Sequence, residues 1–583
     1  MRHLAQADAH DRLVTRQHAA HLGNQRFEIR RVTRRSLGLE DGQPVRFLGR
    51  RTRDYHFYVV RPRAQRTAGD QRINSFGIGG TVEARAGRLV QKRVIDGPAL
   101  HFGLGERDAV DVTWIVWPNG IAQAEFDLEA DHAVVAEQRL KGSCPWVFAD
   151  DGSGLRFVTD FLWRSPLGLR INAHDTAGVT QTEDWVKIRG DQLVARDGAY
   201  DVRITGELWE TLFFDHVSLL VVDRPADVEV FVDERFVPTA APELAVHAME
   251  PPQPVSRAWD QDGLEVTELV ARRDGRFLAT FERGRYQGVA EDHFVEIELA
   301  APVPSGVPAW LVAHGWIYPT DSSINVAIGQ GGAEAPRSLS LEARTAAGDW
   351  VVVAEDLGFP AGKRKTVLLD LGLLESAGLA GSTRLRLRPH LEIYWDSLAS
   401  AVGRPDAGLE IRRLDPARAD LRYRGFSVTE HERRDLPEIP VYDRLANTSP
   451  RWRDLVGFYT RFGDVRELLA QIEDRYVIMN AGDELRLSFP APEPPPEGRV
   501  RDFVLIGDGW VKDGDFNTGY SKTVVPLPAH GDAEYDAPSS PPVLSDDPVF
   551  RRHREDWGTY HTRFVEPRTF LEGLRLSDVS RPR

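Results

Sequence analysis

The chain has 583 residues, 42% hydrophobic and 28% charged, with a formal net charge of −15. At roughly 100–200 residues per domain this is material for about three to five domains, and the acidic balance argues against a nucleic-acid binder, which needs a basic face to displace counterions from phosphates. The single cysteine, Cys144, excludes an intramolecular disulfide and a multi-thiolate metal site, and its setting KGSCPWVF reads as a small buried side chain.

The chain opens on MRHLAQADAHDRLVTRQHAAHLG, which lacks the apolar stretch of a secretory signal. No later run reaches the ~18 apolar residues of a membrane helix. The first seventy residues are Arg-rich and read as the solvated face of a partial unit. From there, short apolar alternations dominate: GTVEARAG, VDVTWIVW, YDVRITGEL, HVSLLVVD, VEVFVDERF, FVEIELA, SINVAIGQ, TRLRLRP and LRLSFPAP. Period two over four to eight residues predicts half-buried strands. The 50 Gly and 37 Pro disfavour long helices. One helix is predicted, Asp464–Asp474, with Val465, Leu468, Leu469 and Ile472 on one face and Asp464 as N-cap. The expected class is all-β, a set of β-sandwiches with few short helices.

Pro-containing breaks suggest boundaries. Met249–Gly263 reads as a linker, Ala491–Arg499 as a rigid loop between strands, and Ala529–Val549 as an extended or disordered tail. The expected division is a partial repeat or irregular segment 1–50, a β-domain 51–140, a β-rich continuation 141–248, a jelly-roll-like sandwich 264–414 and a C-terminal β-rich domain 441–583 with one helix and an extended tail.

Within 51–140, Asn74 precedes Gly77-Ile78-Gly79, then come His101-Phe102-Gly103-Leu104-Gly105, the strand VDVTWIVW, and Trp117-Pro118-Asn119-Gly120 with Gln123. In this order the pieces resemble the ASPIC/UnbV domain of the cartilage acidic protein family and of many exported bacterial proteins. The glycines suit positive φ or close backbone approach and open a strand, so they are not a dinucleotide fingerprint. The resemblance implies an extracellular or periplasmic protein, with FG-GAP or VCBS repeats forming a calcium-binding propeller upstream. Leu22–Leu39 is similar to the tail of one such repeat but lacks its Asp-rich loop, and one partial blade cannot close a propeller. Asp150 and Asp151 in ADDGSG read as turn formers.

Residues 264–414 resemble, more weakly, a galactose-binding-like jelly roll. There Trp316, Tyr318, Tyr394 and Trp395 are the candidate sugar-stacking rings, with His314, Asp321, Glu392 and Asp396 as polar neighbours; the competing reading is that the rings fill the core. Farther on, Asp513, Asp515 and Asn517 form a D-x-D-x-N string, the candidate calcium site. It departs from an EF-hand loop, with Thr518 where glycine belongs.

No GxSxG elbow, HExxH, P-loop or cysteine motif occurs. The expected function is therefore a non-catalytic exported binding or scaffold protein, taking carbohydrate or another protein on sandwich faces, with no nucleic-acid partner and no membrane span. The alternatives are a glycan-active hydrolase with accessory β-domains and a remnant of a larger propeller protein.

Overall fold

The computed structural model describes residues 35–40, 43–48, 54–64, 74–118, 122–138, 145–179, 181–208, 210–237, 241–332, 334–430, 438–446, 455–515, 517–532, 535 and 543–565. Cys144 and residues 22–34 of the repeat-like segment lie outside them. Among the described residues strands dominate, as the alternation predicts, and most of them build three all-β units. Among the described residues no helix is long and apolar enough to cross a membrane.

The first unit is small. A three-stranded sheet, ordered Leu100–Gly105, His56–Arg63, His132–Glu137, faces a four-stranded one, ordered Leu89–Val94, Thr81–Ala86, Ala109–Val116, Ala122–Glu129. Val82, Ala84, Phe102, Leu104, Ile115 and Trp117 fill the space between them.

The second unit is a larger sandwich. One sheet orders Leu155–Asp160, Trp146–Asp150, Ala199–Thr205, Asp483–Pro490, Arg418–Tyr423 and Gly463–Asp464. The other orders Glu183–Ile188, Arg499–Asp513, Glu210–Pro225 and Glu410–Leu414, with Val477–Met479 on the end of Glu210–Pro225. Strands expected in two separate domains, 141–248 and 441–583, thus pair in the same two sheets around one core.

The third unit is inserted between those halves. A sheet ordered Gln253–Pro254, Ile393–Val402, Ala309–Ile317, Lys365–Asp370 packs on one ordered Arg257–Trp259, Val295–Glu298, Arg384–Arg388, Ser340–Arg344, Trp350–Ala354. The expected linker Met249–Gly263 therefore supplies two of its strands. Pro254 is tolerated because its strand is at the sheet edge, where a missing N–H goes unnoticed.

Two local expectations fail for physical reasons. SINVAIGQ is a helix, Ser322–Gln330, not a strand. Asp321 caps it, accepting from Ile324 N at 2.7 Å, and Ile324 and Ile328, four apart, share its buried face. Conversely, the helix expected over Asp464–Asp474 shrinks to a 3₁₀ turn, Arg466–Leu469. Val465, Leu468 and Leu469 are buried, but Ile472 is exposed and Asp474 has φ 63°. Farther on, the described part of Ala529–Val549 is folded: Asp547 caps a short helix, Pro548–Arg552, and Tyr535 is buried.

The helix Ser322–Gln330 joins all three units. Its Ile324 and Ile328 lie in the core of the small first unit. Its start is tied to the larger sandwich, where Ser322 Oγ lies 2.6 Å from Thr518 Oγ1 and Ser323 donates to Asp515 at 2.7 Å. Truncating Ile324 or Ile328 to Ala should cost about 2–5 kcal/mol. Hydrogen exchange should show the loss in Thr81–Ala86 and Ala109–Val116 while the larger sandwich stays protected; unchanged protection of those two strands would refute the shared core.

Candidate functional site

The four candidate stacking rings all point inward. Trp316, Tyr318, Tyr394 and Trp395 are each at most 5% exposed. Trp395 sits between the sheets of the inserted sandwich. The other three cluster with Phe277 and Phe281 under a buried polar network. Tyr394 donates to Glu392 at 2.5 Å and receives from Arg283 at 2.9 Å. Tyr318 donates to Glu438 at 3.0 Å. Lys363 pairs with Glu438 at 2.7 Å and stands 4.2 Å over Trp316. A sugar needs an open ring face, and these have none, so the core reading prevails for them. His314 and Asp396 are buried too.

Three partly buried aromatics of the inserted sandwich, Trp259, Phe294 and Trp350, stand on the outer face of its five-stranded sheet. In the central strand Arg384–Arg388, the leucines point in and Arg384, Arg386 and Arg388 point out. Arg384 lies over Trp259 at 4.2 Å, Arg386 over Trp350 at 3.8 Å and over Phe294 at 4.1 Å, and Arg388 over Phe294 at 4.9 Å. Carboxylates from neighbouring strands complete the array: Glu296 pairs with Arg386 at 2.9 Å, and Glu342 with Arg388 at 2.8 Å. Such cross-strand contacts support the sheet and also hold planar rings at its surface.

The D-x-D-x-N string forms a turn that anchors the joining helix. Asp513 accepts from Asp515 N at 2.9 Å, Asp515 accepts from Asn517 N at 2.9 Å, and Asn517 donates to Ser323 at 2.9 Å. The first two are Asx-turn bonds and the third ties the turn to the helix, so the string has a structural part. Asp150 and Asp151 are turn formers as expected, accepting from Gly152 N and Ser153 N, each at 2.8 Å.

A different cluster gathers metal-ligating side chains. Asp215, Asp508 and His530 each offer a donor atom within 4.8 Å of the others. Asp215 sits at a β-bulge between Phe214 and His216, where Glu210–Pro225 pairs with Arg499–Asp513. Its carboxylate accepts from the N–H groups of Glu473, Asp474, Arg475 and Tyr476. Burial pushes it up to about 6, against the pull of those bonds and of His530. Asp508 lies in the partner strand. His530 comes from the C-terminal segment, its Nδ1 2.7 Å from Asp474 and 3.7 Å from Asp215, its Nε2 2.8 Å from Asp508. Burial opposes a charge on this ring, but the bonds to Asp474 and Asp508 outweigh it and push His530 up to about 10. Arg552 reaches Asp474 at 2.9 Å, and Thr182 donates to Asp508 at 2.8 Å. The four acidic and imidazole groups come from four distant stretches of ordinary composition, so no spacing announces them.

In the first unit, the motif glycines and aromatics form a single knot. Asn74 accepts from Ile78 N at 2.7 Å and donates to Ile78 O at 2.8 Å, closing a loop in which Gly77 has φ 66° and Gly79 φ 99°. A Cβ on Gly77 would lie 2.8 Å from the Trp117 ring, and one on Gly80 2.5 Å from Val116 O. Trp117 is buried, and its indole N–H meets Gln123 at 3.1 Å; Gln123 in turn donates to Glu125 and to Glu137 O. The Asn74–Gly80 loop thus touches Trp117, and Trp117 touches Gln123. The family model described as ASPIC and UnbV matches residues 70–142. The chain carries an ASPIC/UnbV domain. No curated protein matches the chain. A solved structure of the arabinofuranosyltransferase AftD from Mycobacteria aligns at 9% identity over 80% of this chain, which spans 33% of that chain, with a TM-score of 0.13; a likeness of that size carries no argument.

The knot makes the ASPIC/UnbV motif a folding device: its residues are engaged with one another. In the inserted sandwich, His293 stacks on Phe281 with centroids 4.6 Å apart, and in the C-terminal part His561 sits buried against Trp557 and Thr460. Burial pulls both imidazoles down from 6.5 to about 4. Between those values each of these two histidines binds more protons in the unfolded chain than in the native one, so its contribution to stability falls as pH drops from about 6.5 to about 4. Each histidine contributes at most about 1.4 kcal/mol per pH unit. Denaturant unfolding of the wild type and of His293→Gln across that range should show a shallower slope in the variant; equal slopes would refute a buried neutral His293.

Proposed function

We propose that this is a non-catalytic, exported binding protein whose ASPIC/UnbV domain is part of a fixed scaffold, and that it takes carbohydrate on the outer face of the inserted sandwich. The Trp259, Phe294 and Trp350 array, held by the Arg384, Arg386 and Arg388 guanidinium groups, carries this reading. Trp259 is stacked by both Arg257 and Arg384, so the sugar contact falls to the face of Trp350 or Phe294 opposite the guanidinium groups, where an aromatic face packs against the C–H face of a pyranose. Fixed guanidinium and carboxylate forks supply the paired donors and acceptors that vicinal hydroxyls need.

The non-catalytic part rests on what the perturbed carboxylates do. Burial raises Glu207, Asp233, Glu234, Asp396 and Asp547 above the usual carboxylate range. Each accepts from backbone N–H groups of another segment or turn: Glu207 from Ser427, Asp233 from Leu368, Glu234 from Lys187 and Thr366, Asp396 from Gly275, Asp547 from Leu527. They act as staples between loops and strands, whereas a glycosidase pair must face an open cleft.

Affinity gel electrophoresis against a panel of neutral and acidic polysaccharides tests the binding surface. The wild type should be retarded by at least one glycan, and the double variant Trp259→Ala, Trp350→Ala should migrate freely while losing about 1–2 kcal/mol from its cation–π contacts. No retardation by any glycan, or full retardation of a folded double variant, would overturn the reading.

A further inference from the structure

We propose that Asp215, Asp508 and His530 form a binding site for one divalent transition-metal cation, zinc being the ion whose preferences fit best. The three donors converge within 4.8 Å of one another, from two paired strands and the C-terminal segment. Asp215 and Asp508 are buried, while the His530 side chain is 31% exposed and leaves an open approach. One imidazole and two carboxylates are the mixed nitrogen and oxygen set that zinc takes with three protein ligands and a water.

The surroundings of the ring favour this assignment over a simple salt bridge. Metal-bound imidazoles keep a carboxylate on their second nitrogen, which fixes tautomer and orientation. Asp474 lies 2.7 Å from Nδ1 in that position, and Arg552 holds the other oxygen of Asp474 at 2.9 Å. That leaves Nε2, 2.8 Å from Asp508, for the ion, with Asp215, 3.7 Å from Nδ1, reaching it from beside the ring. Thr182 fixes the remaining Asp508 oxygen at 2.8 Å. Asp215, Asp474 and Asp508 converge on His530, with Arg552 on Asp474, and a divalent ion offsets this concentration of negative charge. The donors are also prepositioned: the Asp215 carboxylate is locked by four backbone N–H groups, and Trp510 packs edge-on against the ring with centroids 4.7 Å apart.

The test uses full-length protein stripped with EDTA and reloaded with Zn²⁺ or, separately, Ca²⁺. After gel filtration, elemental analysis should find one Zn per chain and no retained Ca, and thermal unfolding should shift upward with Zn. His530→Gln keeps a hydrogen-bonding side chain; it and Asp508→Asn should each lose stoichiometric Zn, while the exposed His174→Gln retains it. Co²⁺ loading gives a second readout: visible d–d bands in the wild type that vanish in folded His530→Gln. Sub-stoichiometric Zn in the wild type, Zn retention unchanged in either site variant, or retention of Ca that ignores His530 would each overturn the proposal.

Discussion

The antiparallel pairing of Glu210–Pro225 with Arg499–Asp513 holds the molecule together. It runs from Glu210 opposite Asp513 to Pro225 opposite Arg499. The two strands are separated by the whole inserted sandwich. That separation is affordable because loop-closure entropy grows only with the logarithm of loop length, and the inserted chain is itself folded. The pairing is broken once, at the bulge between Phe214 and His216. Gly509 makes the bulge possible, since a Cβ there would lie 1.9 Å from Phe213 O. The bulge turns Asp215 toward the Glu473–Tyr476 turn, and that capture sets where His530 and Asp508 meet. Remove the bulge and the cluster has no floor.

Buried carboxylates solve a problem specific to this topology. Strands that leave one sheet and return to another need long irregular connections, and every buried N–H in those connections needs an acceptor. Glu207, Asp215, Asp233, Glu234 and Asp547 meet that need by reaching from one segment to the backbone of another. Part of the net charge of −15 is therefore internal construction rather than a solvated surface. Desolvation works against each such group, and the charge-assisted bonds to backbone offset it.

What could be read from the sequence follows the range of each signal. Alternation is local, and it located strands such as Thr81–Ala86, Ala109–Val116 and Asp483–Pro490 because each has one buried face. The ASPIC/UnbV pieces were readable because a single knot, Asn74 to Gly77 to Trp117 to Gln123, forces them into a fixed order. Local patterns mislead when context overrides them. In SINVAIGQ the isoleucines sit four apart as well as alternating with polar residues, and the deciding signal was the Asp321 cap. Over Asp464–Asp474 the helical spacing was present, but Asp215 takes the N–H groups of 473–476 and ends the turn early. The interleaving of the sandwiches and the His530 cluster have no local signature, since their residues meet only through pairings hundreds of positions apart.

The joining helix decides how the ASPIC/UnbV domain can act. Ile324 and Ile328 belong to that domain's core although they are encoded nearly two hundred residues after its last strand. A small β-unit of this size buries a modest fraction of its surface by itself, so two extra isoleucines are a substantial share of its apolar contacts. Ser322 and Ser323 then anchor the same helix to the Asp515–Thr518 turn of the larger sandwich. The domain is thereby held at a set angle to the other two units instead of swinging on a linker. A ligand on the Trp259–Trp350 face would be presented in a constant geometry relative to it, and so would an ion at Asp508 and His530. Fixed geometry between separate sites is what a scaffold requires, and here one nine-residue helix supplies much of it.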